Sequence, residues 1–217
     1  MKINLCIFDA DPILAPFAKA IKKEASNVLQ KITTLIPIGK VDIIIAHWPD
    51  NIVFGTVSGS TINKHRVLIT LDVLHKDFRK EWKVALRKTI AHELYHIARA
   101  QQNKYPETLF ENCVDEGLAV HFEQEIAGGK PPRYAIYLKK EALARTMKLA
   151  QKEFPSKKYS HNDWFHGGSP KKIPESAGYN IGYHLVQAVV KNDPHVTPSK
   201  LVSKSTIINK KSFQIKN

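Results

Sequence analysis

Cysteine is scarce: Cys6 and Cys113 are the only two in 217 residues. Two thiols cannot build the disulfide framework of a small secreted domain, so a reduced compartment is expected. Long apolar runs are missing as well. No stretch approaches the roughly 18 uncharged apolar residues of a membrane helix. The apolar run near the amino end is too short for a signal-peptide core and is interrupted by Asp9, Asp11 and Pro12. A cytoplasmic location is expected, with export that needs no such leader left open. Repeats and low-complexity blocks are absent, which excludes solenoids and arrays. With 43% apolar and 24% charged residues, the balance is that of an ordinary globular protein, not a disordered or fibrous one. The length suits one domain, expected over 1–202, followed by a basic tail over 203–217.

Acidic residues are few, and their distribution is uneven. The formal net charge is +13, and residues 130 to 172 carry 11 Lys or Arg against 3 acids. Residues 191 to 217 carry 6 against 1. A basic carboxyl-terminal half suits an acidic partner, a nucleic acid or an anionic membrane surface, because such fields steer encounters. A solvated lysine face explains the same charges. Tyr134, Tyr159 and Trp164 interleave with them as stacking on single strands would need, yet no nucleic-acid fold signature occurs and nucleic acid is not the expected partner.

Hydrophobic periods place the elements. A strand is expected over 2–8, then a helix with apolar residues at Phe17, Ile21, Ala25, Val28, Ile32 and Leu35, opened by Pro16 and stopped at Pro37. Strands are expected over 41–46, 52–57 and 67–71, where branched apolar residues are bounded by turn residues. From about Arg79 the period becomes helical, with helices over 79–102, 106–127, 134–154 and 178–191 and a loop over 155–175. Thr197-Pro198 marks a last short helix. The fold class is α+β: a small amino-terminal sheet with a helix, then a mainly helical half.

The chemistry concentrates in His92-Glu93-Leu94-Tyr95-His96, an HExxH motif inside the long helix. Four-residue spacing puts both imidazoles on one helix face, one turn apart, where they can share a metal ion. Glu93, about 100° round the helix, can lean over a water without being a ligand. A catalytic zinc takes three protein ligands and keeps its fourth position open. The metzincin extension is absent, since Arg99 and Gln102 stand where Gly and His would be. Downstream, Asp115-Glu116-Gly117-Leu118-Ala119 on the next helix offers Glu116, with Asp115 as the alternative, and Glu123 follows two turns after Glu116.

HExxH followed by a helix with EGLA and a further acid seven positions on resembles the gluzincin class of metallopeptidases. With Gly178-Tyr179-Asn180-Ile181-Gly182-Tyr183, the chain more closely resembles a family of small bacterial proteins predicted to be zinc-dependent peptidases, the YjaZ type. The resemblance spans approximately 43–190 and leaves the basic tail outside. It implies a zincin-like fold, one zinc per chain at His92, His96 and Glu116, and Glu93 as general base.

Further roles follow from the chemistry. Glu123 can accept a hydrogen bond from an imidazole N–H and select its tautomer, or be an ordinary exposed acid. A tetrahedral intermediate needs an oxyanion donor, and the resemblance implies a tyrosine in a later helical region; Tyr179 is preferred over Tyr183, and core packing accounts equally for either. His161, Asp163 and His166 fit a loop rimming a cleft better than a second metal site, and His184 either touches an oxyanion or packs on its helix. His121 and the remaining histidines read as surface or core, and Cys113 as core. A peptide substrate would add to a sheet edge at 54–61, and the lack of an amine-holding GxMEN-like segment favours endopeptidase over aminopeptidase action. The alternative is a non-catalytic module whose basic half binds nucleic acid or an acidic partner.

Overall fold

The computed structural model describes residues 3–10, 12–102, 104–167, 173–193 and 195–203. It is α+β, a four-stranded sheet with a mainly helical remainder. By contacts the chain divides into two compact units, one holding residues up to Lys104 with Phe122–Gly129, the other holding Tyr105–His121 with the residues from Lys130 onward.

In the first unit, strands β1 (Ile3–Phe8), β2 (Val41–His47), β3 (Val57–Asn63) and β4 (Arg66–Leu71) form a sheet in the order β1-β2-β4-β3. The β1-β2 and β2-β4 pairs are parallel, and β3 is antiparallel to β4 at one end of the order. Helix α1 (Ala15–Leu35) makes the crossover from β1 to β2 that parallel strands require. Its buried residues Ile21, Ala25, Val28, Leu29 and Ile32 recur at helical spacing. They share the core with Val41, Ile43, Ile45, Val67, Ile69 and Leu71, the alternate residues of β2 and β4.

Helix α2 (Phe78–Gln101) completes this core. At its end Gln101 accepts from the Gly39 N–H at 2.7 Å and donates to the Lys64 carbonyl at 2.8 Å, so one amide joins two turns of the sheet. The expected strand over 52–57 does not form. Pro49–Asn51 is a 3₁₀ turn and the chain crosses to Val57 before pairing. There the Thr70 hydroxyl reaches the Asn51 carbonyl at 3.5 Å, a contact from a distant strand that local propensity does not contain.

Helix α3 (Leu109–Ala127) begins three residues later than the sequence suggested. The reason is a capping box: Glu111 N–H donates to the Thr108 hydroxyl at 3.3 Å while the Glu111 carboxylate accepts from Thr108 N–H at 2.9 Å. Burial alone would raise the Glu111 carboxyl, but hydrogen bonds from the Glu107 and Thr108 amides outweigh it and hold the group below its usual value. At the other end of α3, Lys31 donates to the Ile126 carbonyl at 2.5 Å, satisfying an orphan acceptor at the negative helix end.

In the second unit the helix expected over 134–154 is broken. Arg133–Ala135 is a 3₁₀ turn, and helix α4 starts only at Lys140 and runs to Glu153. Asn180 of helix α6 (Ala177–Asn192) is the cause. Its fully buried side chain accepts from the Leu138 N–H at 3.0 Å and donates to the Tyr134 carbonyl at 2.6 Å, taking backbone groups that a helix would use internally. The expected loop contains a short helix α5 (His161–Phe165), capped by the Ser160 hydroxyl. Helix α7 (Pro198–Leu201) is capped by Thr197. Of the expected tail, 204–217 lies outside the described residues.

Helices α3 and α6 meet backbone to backbone. A Cβ on Gly117 would lie 2.2 Å from the Gly182 carbonyl oxygen, and one on Gly182 would lie 1.8 Å from that of Cys113. Glycine at both positions is therefore a packing requirement. Beside the crossing, Val120, Ala135 and Tyr183 form a buried cluster with Tyr134 and Tyr179 packed against it.

Candidate metal centre

Between Ile90 and Ala100 every residue of α2 is buried except His92 and His96. Between Cys113 and Glu123 of α3 every residue is buried except Glu116. Within these two buried stretches the partly open residues are His92, His96 and Glu116. The two imidazole rings stand 4.8 Å apart between centroids at 71° to one another. His92, His96 and Glu116 each offer one ligand atom, and these atoms lie within 4.8 Å of one another.

The surroundings orient the donors. His92 Nδ1 lies 2.7 Å from Glu123 Oε1, and the two side chains are 12% and 4% exposed. An ionised carboxylate only accepts, so Nδ1 carries the proton and Nε2 keeps its lone pair for an ion. Glu123 is held in turn by α3, whose other residues at that level are buried.

Glu93 is 7% exposed, and its Oε2 accepts from the Thr61 hydroxyl of β3 at 2.8 Å. Gly59 makes room for it: a Cβ there would lie 2.5 Å from Glu93 Cγ and 2.7 Å from Thr89 Cγ2. Gly59 thus faces the glutamate of its own chain. The strand spans Val57–Asn63, shifted from the expected 54–61.

The later aromatic residues divide. Tyr179 lies between Tyr134 and Phe165, with centroids at 4.9 and 5.2 Å. Tyr183 stacks on His121 at 4.5 Å and 4° and donates its hydroxyl to Gln187 Oε1 at 2.9 Å, on its own helix. Burial pushes the Tyr183 phenol up. His121 is 7% exposed, and its Nε2 meets the Tyr183 carbonyl at 3.1 Å. Burial lowers its pKa, opposed by that hydrogen bond and helped by neighbouring His184. His184 is lowered by burial and then by Lys191.

Two residues come into the field of Glu116 that the motif does not contain. Burial pushes the Tyr159 phenol up to about 12, with Cys113 and Glu116 adding to the shift. His161, stacked on Phe165 at 4.4 Å, is lowered by burial while the Glu116 charge pulls the other way. Tyr159 carried no signal in the sequence beyond its place among lysines. His161 and His166 are 5.7 Å apart, and with Asp163 they form no metal-ligand group among the described residues. Cys113 is fully buried, and burial raises its thiol, which keeps it an inert core residue.

Two histidines and a glutamate, His92, His96 and Glu116, form a group that could hold a metal ion. The chain belongs to a family described as predicted Zn-dependent protease, DUF2268, whose model matches residues 21–209. That match extends beyond the 43–190 resemblance at both ends and into the basic tail. Comparison with curated proteins and with solved structures gives no match.

Proposed function

We propose that this chain is a zinc-dependent peptidase of the gluzincin type that cleaves peptide bonds within polypeptides. The observation that carries the proposal is the group of His92, His96 and Glu116, with His92 already turned by Glu123. The donor set fits zinc: two neutral imidazoles and one carboxylate match its borderline preference and leave a position open. When bound, zinc supplies a Lewis acid that polarises the scissile carbonyl and acidifies a water.

The chain's own residues do the rest. Glu93 accepts the proton of the attacking water at a carboxylate oxygen and passes it to the leaving amine. Thr61 holds that carboxylate, donating to Oε2 and leaving Oε1 for the proton. Glu123 fixes the His92 tautomer. A phenolic O–H donates to the developing oxyanion, a role we assign to Tyr179 ahead of Tyr183, as the family resemblance implies. The fold is read as zincin-like on the same grounds.

Metal content by mass spectrometry, with a peptide-library cleavage screen, tests this on wild type, Glu116→Ala and Glu93→Gln. One zinc per chain is expected in wild type and Glu93→Gln and none in Glu116→Ala, with cleavage reduced by about 10²–10⁴ in Glu93→Gln. Wild type that takes up no zinc, or cleavage indifferent to Glu93, overturns the proposal.

A further inference from the structure

The sheet of the first unit has two edges, and they are unlike. Strand β3, at one end of the order, is broken by a register shift between Thr61 and Asn63, contains Gly59 and gives Thr61 to Glu93. Strand β1, at the other end, pairs with β2 in unbroken register from Ile3 to Phe8. Among the described residues β1 has no strand on its other side. Its sequence, Ile3-Asn4-Leu5-Cys6-Ile7-Phe8, contains no charge, no proline and no glycine. Free edges are usually protected by charges, prolines or bulges, because a row of unpaired N–H and C=O groups templates another strand. About half of the β1 backbone groups point away from β2 in this way.

Beside that edge lies a cleft of about 290 Å³, lined by Ile3 and Leu5 of β1 and by Ser26, Leu29, Gln30 and Thr33 of α1. No residue of β2 lines it, so it opens past β1 rather than over the middle of the sheet. Its floor is apolar, and its α1 side carries hydroxyl and amide groups without a charge. Ser26, Leu29 and Thr33 belong to one stripe of α1, at steps of three and four residues that begin with Lys19 and Lys22. Helix α1 follows β1 and returns alongside it to start β2, so the lysine end of the stripe lies towards Phe8 and the cleft towards Ile3. Both lysines are exposed, and neither is in an ion pair among the described residues.

The edge, the cleft and the lysines together select one occupant. A row of alternating N–H and C=O groups is matched by another extended backbone, so the occupant is a polypeptide. Side chains on one face of a strand recur every second residue, and Ile3 and Leu5 already face α1, so the cleft takes an apolar side chain from the added strand. The lysines call for acid. From Leu29 to Lys22 is seven residues of helix, roughly 10.5 Å at 1.5 Å per residue, which about three residues of strand span. On one face of the strand, the acid therefore stands two to four residues from the apolar side chain. A second copy of the chain does not meet this requirement, because the strand it would bring, β1 itself, has no acid.

We propose that the free edge of β1 and the adjoining stripe of α1 form a groove that binds an extended acidic peptide segment by strand addition. An apolar side chain of the segment enters the cleft between Ile3, Leu5 and Leu29, and its carboxylates meet Lys22 and Lys19. This groove is at the opposite end of the sheet order from β3 and does not rest on the peptidase reading.

Fluorescence anisotropy on the full chain carrying Glu93→Gln, so that no probe is consumed, tests it with two labelled peptides. One alternates threonine with two leucines and then two aspartates; the other has the reverse order, because strand addition runs in either direction. One of the two is expected to bind with a Kd of about 1–100 μM. Replacing its aspartates by lysine, or methylating alternate backbone nitrogens in one of the two phases, should weaken binding at least about tenfold. Ser26→Trp, which fills the cleft from an exposed position, should do the same with an unchanged thermal midpoint. Lys19→Glu combined with Lys22→Glu should prefer the lysine peptide to the aspartate one, an exchange that loss of structure does not produce. Neither peptide binding below about 1 mM, binding indifferent to these substitutions, or a two-chain mass in sedimentation that Ser26→Trp abolishes, which makes a second copy the occupant, overturns the proposal.

Discussion

Replacing Gly182 by alanine sets two physical effects against each other. Gly182 lies inside α6, where alanine is a better helix former than glycine by about 0.8–1.0 kcal/mol, so propensity alone predicts a gain. The packing predicts the reverse. The new Cβ would stand 1.8 Å from the Cys113 carbonyl oxygen and must open to at least 3.0 Å, a retreat of 1.2 Å. Both partners are helix backbone, so no rotamer relieves the clash. A gap of 0.5–1 Å already forfeits about a quarter to a half of a contact's dispersion energy. Overpacking at the upper end of its range, about 3 kcal/mol, leaves a net loss of roughly 2 kcal/mol after the propensity gain. For a chain of this length that lowers Tm by about 4–8 °C. Calorimetry and urea unfolding measure it, with Ala144→Gly on the exposed face of α4 as the calibration, expected to lose about 1 kcal/mol. A Tm for Gly182→Ala equal to or above wild type would refute the backbone-contact reasoning.

Three further outcomes are expected. Glu123→Gln leaves a poorer acceptor for the His92 N–H, so zinc affinity should fall by about 10–100-fold in competition with a chelator, with the fold intact by circular dichroism. Thr61→Val keeps the shape but removes a donor from a buried carboxylate, and urea unfolding should show a loss of about 1.5–3 kcal/mol. His121 has a folded pKa below its ordinary value of 6.5 through burial, so below that value the unfolded chain binds the extra proton. Its contribution to stability is complete above about pH 6.5 and is lost as pH falls through the folded value. His121→Gln should therefore flatten the pH dependence of Tm on the acid side, and an unchanged slope would remove His121 from the account.

Much of the frame was legible because local chemistry determines it. Pro16, a six-residue apolar stripe and Pro37 define α1 without tertiary help, and HExxH in a helical run puts His92 and His96 on one face by geometry alone. The third metal-group residue was also readable, as an acid on the next helix. Failures came where distant groups competed for the backbone. Residues 134–138 carry a helical pattern, but Asn180 takes their amide and carbonyl groups, and no window of local sequence contains Asn180. Residues 52–56 are apolar enough for a strand, yet β4 pairs with the following segment.

The sequence by itself determined which residues offer metal-ligand chemistry and where the long helices α1, α2 and α3 run, because ligand type and period are properties of neighbours along the chain. Tertiary structure alone decided that Glu123 turns His92, that Thr61 and Gly59 hold a place for Glu93, and that Gly117 and Gly182 let two helices touch. These depend on distances between residues from 31 to 65 positions apart in the chain, and such distances exist only once packing has brought the elements together.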